Sequence, residues 1–313
     1  MVSAAARWAV GGRHQCLSIL IFHRVLAQPD PFMPDEPDAQ RFADIMEWLS
    51  SWFKPLSLSE GIERLRAGTL PPRALCVTFD DGYADNLLVA APICRRFGVP
   101  VTVFVASGYL DGRVMWNDRI IESVRGAPGD HLDLTELGYG RYKLGDSTQR
   151  VALIGELLRR WKYLPFEERE ELTLEMAARY APAINNPMLS RAQVRQLHGG
   201  GVEIGGHTVT HPILARTDTA TAAREIADNK DDLEGLLGGR LRFFAYPNGL
   251  PHTDFTLDHV EMVRRVGYQA AFSTHAGVST SGTDRFQMPR FTPWDKTSLR
   301  FSLRLILNMR NSV

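Results

Sequence analysis

The chain has 313 residues, 44% of them hydrophobic and 23% charged, with 36 lysines and arginines balanced by 36 aspartates and glutamates. This is the composition of an ordinary globular protein that can bury a large core, and one barrel-sized domain with an insertion accounts for the whole length. The even charge balance argues against a nucleic-acid partner, which would call for a surplus of basic side chains, and no apolar run approaches membrane-spanning length.

From the N-terminus, Arg7, Arg13 and His14 interrupt any apolar stretch, and Ser18-Ile-Leu-Ile-Phe22 is too short for the core of a secretion signal. Cys16, Cys76 and Cys94 are odd in number and two sit beside apolar stretches, so disulfides are not expected and a reducing, cytoplasmic setting is. Residues 17–22, 74–79, 99–106, 202–204, 241–246 and 269–273 form short β-rich runs, each ending in a polar or glycine-containing loop, while 85–97, 219–237 and 257–266 carry helical spacing. The alternation predicts an α/β fold with a largely parallel sheet, whose chemistry belongs just beyond the strand ends. Between about 111 and 190 the rhythm breaks. Helical patterns at 151–163 and 165–180, bounded by Gly- and Pro-rich pieces, predict a helical insertion on one face of a single domain spanning 1–313.

Two strand ends carry paired polar residues. In Ala74-Leu-Cys-Val-Thr-Phe-Asp-Asp-Gly-Tyr83, Asp80 and Asp81 repel one another unless a cation relieves them, which would leave one carboxylate poised as a base; D-D-G is also a common solvated turn. In Val202-Glu-Ile-Gly-Gly-His-Thr-Val-Thr-His-Pro212, His207 and His211 stand four apart, which in a helical turn puts both imidazoles on one face. An isolated histidine pair reads as surface, but together with the aspartates it makes the mixed oxygen and nitrogen ligand set of a catalytic metal site with open positions.

T-F-D-D-G-Y and H-T-V-T-H resemble the first two motifs of the polysaccharide deacetylase (NodB homology) family. The resemblance covers most of the chain outside the insertion. It implies a distorted, TIM-like (β/α) barrel and a metal-dependent hydrolase that removes N-acetyl groups from amino sugars of a polysaccharide or a lipid-linked glycan. By position it makes Asp80 the catalytic base, Asp81, His207 and His211 the ligands of a divalent ion, and the Tyr83 N–H an oxyanion donor; zinc suits that ligand set best. The third motif departs from the common pattern, because Phe244-Ala-Tyr-Pro-Asn-Gly249 has Ala245 where an arginine would orient the base. Arg290, in Gln287-Met-Pro-Arg-Phe291, is the candidate replacement, as in members that share the F-A-Y-P form, and a strand-end surface charge is its alternative. For the general acid, His23 in Ile19-Leu-Ile-Phe-His-Arg-Val25 competes with His275 in Phe272-Ser-Thr-His-Ala-Gly277; an early Phe-His segment resembles the circularly permuted branches and favours His23.

Trp116 and Asp118 at the start of the insertion, Tyr246, His275, and Trp294 with Asp295 are candidates for contact with a sugar, the tryptophans being equally able to serve as packing residues. The basic, amphipathic segment from Ser298 to Arg310, with Arg300 and Arg304, either closes the barrel or touches an anionic membrane bearing a lipid-linked glycan, giving a membrane-peripheral location. Two rival functions remain at this level: a deformylase or amidase acting on another N-acyl substrate, and a glycan-binding relative without turnover, suggested by Ala245.

Overall fold

A computed structural model describes residues 15–181, 183–292, 295 and 297–309. The candidates Trp294 and Arg310, and the N-terminal Arg7, Arg13 and His14, lie outside the described residues. The strands are β1 (Ser18–Phe22), β2 (Lys54–Pro55), β3 (Ala74–Phe79), β4 (Val101–Val105), β5 (His131–Leu134), β6 (Gly140–Lys143), β7 (Glu203–Gly206), β8 (Phe243–Ala245) and β9 (Ala270–Phe272). The helices are α1 (Ala39–Trp52), α2 (Leu58–Ala67), α3 (Ala91–Arg96), α4 (Trp116–Gly126), α5 (Ser147–Trp161), α6 (Phe166–Tyr180), α7 (Arg191–Gly199), α8 (Thr219–Leu237), α9 (Leu257–Val266) and α10 (Ser298–Asn308).

The expected parallel sheet is present, in the order β1-β3-β4-β7-β8-β9, with β2 added beside the start of β3. It curls until its edges meet across residues 288–291. Met288 bridges Phe272 on one side and Phe291 bridges Leu20 on the other. The Met288 N–H donates to Ala271 O (3.0 Å) and the Phe291 N–H to Ile19 O (2.8 Å). These few bonds close the barrel.

Strand residues alternate faces, and here both faces are covered, which is why the strands read as continuous apolar runs. Leu17, Ile19, Cys76, Phe104, Phe243, Ala245 and Phe272 share a buried cluster inside the sheet's curl. Leu20, Phe22, Val77, Phe79, Val103 and Phe244 face the outer helices instead. This parity decides what each strand delivers at its C-terminal end: Cys76, Thr78 and Asp80 are on the inner phase, as are Gly205 and His207, whereas Tyr246 shares the outer phase of Phe244.

The insertion has its own core, including Ile120, Val124, Leu132, Leu134, Leu157, Trp161, Leu172 and Met176. It is not purely helical as expected: β5 and β6 pair antiparallel, Leu132 opposite Tyr142. Only two buried leucines, Leu132 and Leu134, flank exposed Asp133, too short an alternation to stand out among longer helical patterns. At the C-terminal end α10 buries Phe301 and Leu305, Phe301 lying 5.5 Å from the ring of Trp48, so it packs on the barrel.

Candidate metal centre and catalytic cleft

The Asp80-Asp81-Gly82 turn leaves β3 through two left-handed residues, Asp81 at φ 73° and Gly82 at φ 87°. Glycine takes that conformation freely, whereas Asp81 holds it at a cost, a strain typical of functional sites. The reversal directs the two neighbouring carboxylates to different partners. Asp80 meets Arg290 in a two-pronged pair, Nη1 to Oδ1 at 2.6 Å and Nη2 to Oδ2 at 2.7 Å. Asp81 turns its Oδ1 to His207 Nε2 and His211 Nε2, each 3.4 Å away.

His207 extends β7 on the inner phase. Its N–H donates to Val105 O (3.2 Å) and its ring Nδ1 lies 2.7 Å from Ala245 O. A carbonyl only accepts, so Nδ1 carries the proton and Nε2 presents a lone pair to Asp81's side. The position that lacks the expected arginine side chain thus contributes its carbonyl. His211 does not reach the site by a helical turn, contrary to the expectation from its spacing. Residues 207–211 are a loop in which Thr208 (φ 63°) and His211 (φ 54°) are left-handed, and this folds His211 back until the rings are 4.8 Å apart.

Two residues of α8 hold that loop and escaped the sequence reading. Asn229, fully buried, accepts from the His207 N–H (3.1 Å) and donates to Val105 O (3.0 Å) and Thr208 O (2.6 Å). Glu225, one turn earlier, accepts from the N–H groups of Val209 and Thr210, both at 2.8 Å. Their i, i+4 spacing on a helix that begins with a capping Asp218 was the only available signal.

Asp81, His207 and His211 bring one ligand atom each within 4.8 Å of one another. Asp81 Oδ1 is buried without a hydrogen-bond partner, which a cation would supply. Burial pushes His211 down to about 3 against the pull of Asp81, so its ring is neutral, the form that ligates. Burial alone would raise the Asp80 carboxyl, and the Arg290 guanidinium keeps it ionised. The donor set therefore fits a divalent ion of the zinc type.

Arg290 is 1% exposed, and its Nε donates to Ser273 O (3.1 Å) while Nη1 also reaches Thr78 Oγ1 (3.2 Å). It is not a surface charge. Tyr83 lies beyond the turn; Ala84 N–H to Pro187 O (2.7 Å) and Leu189 N–H to Gly82 O (2.9 Å) make the flanking pairing and leave Tyr83's own N–H out of it. The Tyr83 ring is held by its hydroxyl, 3.1 Å from Asp118, and by the Arg24 guanidinium 4.5 Å above its centre.

A cleft of about 560 Å³ runs over these groups, lined by His23, Asp80, Asp81, Trp116, Asn117, Leu158, His207, His211 and Thr274 among others. His23 is half-buried in its wall, its loop tied down by Asn86, whose amide donates to His23 O (2.9 Å). His275 is exposed and outside the lining. Trp116 lines the cleft, the guanidinium of Arg169 lying 4.7 Å from its ring. Tyr246 is corrected: it is fully buried, stacked on Phe255 at 3.8 Å, and its hydroxyl donates to Phe286 O (3.0 Å). Strand parity sends it into the outer core, away from any sugar.

The family model for polysaccharide deacetylase matches residues 67–271. YxkH of Bacillus subtilis (strain 168) is 29% identical over 91 residues, a stretch that covers 28% of this chain and 31% of that relative. Among solved structures, the Streptococcus pyogenes deacetylase PplD aligns with TM-score 0.61 at 17% identity, covering 94% of this chain and 98% of that one. IcaB from Ammonifex degensii aligns with TM-score 0.58 at 18% identity over 92% and 97% of the two chains. At such identities the structural likeness speaks for the fold, a NodB-type barrel, while the matched model speaks for the family.

Proposed function

Since the chain belongs to the polysaccharide deacetylase family, we propose that it hydrolyses the N-acetyl amide of an amino sugar in a glycan or glycoconjugate, using Asp80, Arg290, His23 and a divalent ion held by Asp81, His207 and His211. The observation that carries this reading is the buried Asp80–Arg290 pair beside the Asp81–His207–His211 cluster, in the wall of one cleft. It restores, from the barrel seam, the base partner that Ala245 cannot provide, and so removes the motive for a binding-only relative.

A divalent ion at the three ligands would polarise the amide carbonyl and acidify water, and zinc is the ion proposed. Asp80, ionised and oriented by both prongs of Arg290, takes the proton of the attacking water. The Tyr83 N–H, free of the pairing around it, donates to the oxygen that becomes negative as the carbonyl carbon turns tetrahedral. His23, at the end of the neighbouring strand β1, gives a proton to the departing nitrogen, since an amine leaves poorly as its anion. Trp116 offers an aromatic face for the sugar ring.

Acetyl is preferred to formyl because the PplD structure holds acetate. Acetate release from N-acetylglucosamine oligomers by metal-stripped, zinc-reloaded protein tests the reading, with Asp80→Asn alongside. Zinc-dependent release that vanishes in the variant is the expected result; zinc-bound protein that frees formate from N-formyl sugars and no acetate replaces it with a deformylase.

The setting we infer is membrane-peripheral. Leu299, Leu303 and Leu307 recur every four residues along α10 and are 66%, 51% and 57% exposed, an apolar stripe beside Arg300. Co-sedimentation with anionic vesicles, lost in Leu303→Glu, is the expected outcome, and absence of wild-type sedimentation rejects the membrane contact.

A further inference from the structure

One wall of the cleft is the end of α5 and the residue after it. Its buried face, Leu153, Ile154, Leu157 and Trp161, enters the insertion's core. Helical geometry then brings Leu158, Arg159 and Lys162 to a common face, and all three line the same cleft as Asp80, Asp81, His207 and His211. Cations in the last turn of a helix complement its dipole, which would account for a basic residue there but not for this face. Arg160, the neighbour, is turned away to the Tyr142 hydroxyl (3.0 Å) and the Tyr139 ring.

Three other cations of the insertion are matched with carboxylates, Arg119 with Glu170 (2.9 Å), Arg125 with Asp30 (2.6 Å) and Arg179 with Glu136 (2.9 Å), and Arg150 and Arg169 donate to backbone carbonyls. Among the described residues no carboxylate lies within ion-pair distance of Arg159 or Lys162, and the Lys162 ammonium rests 5.3 Å from the Tyr163 ring. The cleft wall is therefore positive at the insertion. A neutral N-acetyl glycan has no charge with which to use that field, whereas an anionic one is both attracted and oriented by it.

We infer that Arg159 and Lys162 form an anion subsite, so that the preferred substrate carries a carboxylate or a phosphate within one sugar of the N-acetyl group. The inference rests on the deacetylase reading and names its substrate class. Arginine forks onto either oxyanion and lysine adds a point charge, so uronate and phosphate are the two sources of one chemistry.

Binding to the zinc-loaded Asp80→Asn protein is measured by calorimetry for three probes: tetra-N-acetylchitotetraose, which is neutral, a hyaluronan tetrasaccharide, which carries uronates, and N-acetylglucosamine 1-phosphate. At least one anionic probe binds roughly tenfold tighter than the neutral tetramer, and that preference disappears in Arg159→Glu/Lys162→Glu and in high salt. Which anionic probe gains identifies the source. Equal binding of all three probes, no binding of any, or a preference that survives charge reversal overturns the subsite. Turnover is blocked in this protein, so failure of the subsite is read separately from failure of acetate release by the wild type.

Discussion

Replacing Arg290 with methionine keeps most of the side chain's bulk and removes its charge. Both partners are buried, and the two bonds of 2.6 and 2.7 Å are the carboxylate's fork-to-fork match. Removing one member of such a pair leaves an uncompensated charge and costs about 3–5 kcal/mol. In a chain of this size each kcal/mol moves Tm by roughly 2 °C, so a fall of about 6–10 °C is expected. Activity shifts as well, with a sign fixed by the electrostatics. Burial favours the neutral acid and Arg290 overrides it; without the guanidinium the Asp80 pKa rises, so the acid limb of the kcat/KM profile moves to higher pH. Near neutrality the loss is roughly 100-fold, the scale of general base catalysis. Acetate release between pH 5 and 9, with thermal melts of Arg290→Met, Asp80→Asn and the double variant, gives both quantities. The double variant should be more stable than the sum of the singles, since each single strands a charge that the other removes. An unmoved acid limb with activity within about twofold of wild type, or strict additivity of the melts, would refute the role assigned to Arg290.

His23→Ala should lose roughly 100-fold or more on an N-acetyl amide but far less on 4-nitrophenyl acetate, whose leaving group departs without a proton; equal losses on both count against His23 as the acid. Asp81→Asn should abolish the rise in Tm that zinc gives the wild type, measured by scanning fluorimetry, and an unchanged rise places the ion elsewhere. Asp118 is pushed up to about 7 by burial, against the attraction of Arg24 and the bond from Tyr83. A carboxyl with a raised folded pKa contributes stability that is full below its unfolded value and is lost as pH rises to the folded one. Wild type should therefore lose stability relative to Asp118→Asn between about pH 4 and 7 and level off above, as followed by urea unfolding; parallel curves exclude the shift. Asn229→Ala should weaken zinc binding by roughly tenfold while leaving far-UV circular dichroism intact, because it frees the loop that aims His207 and His211.

What the sequence showed about the barrel came from strands buried on both faces: six apolar runs stand out, and polar pairs at two of their ends mark the mouth. Less could be read where the backbone leaves regular geometry. Four-residue spacing suggested a helical turn for His207 and His211, but the left-handed Thr208 and His211 achieve the same convergence in a loop. Tyr246 stands beside a motif, but strand parity puts it with Phe244 on the outer face. Asn86 carries no signature in one dimension, and Glu225 and Asn229 only their i, i+4 spacing on α8; a buried amide is recognisable once its carbonyl partners surround it. Only the family likeness points to Arg290, for a separation of 210 positions from Asp80 leaves no periodicity to read.

The seam at 288–291 bears on how the enzyme comes into being. During synthesis the chain emerges from its N-terminal end, and domains or their parts begin to organise as they appear. Asp80, Asp81, His207 and His211 would be free of the ribosome while Arg290 was still unmade. Until the seam residues join β9 to β1, Asp80, the proposed base, lacks its guanidinium and the barrel lacks its last wall. Barrel closure and the pairing that keeps Asp80 ionised are thus one event.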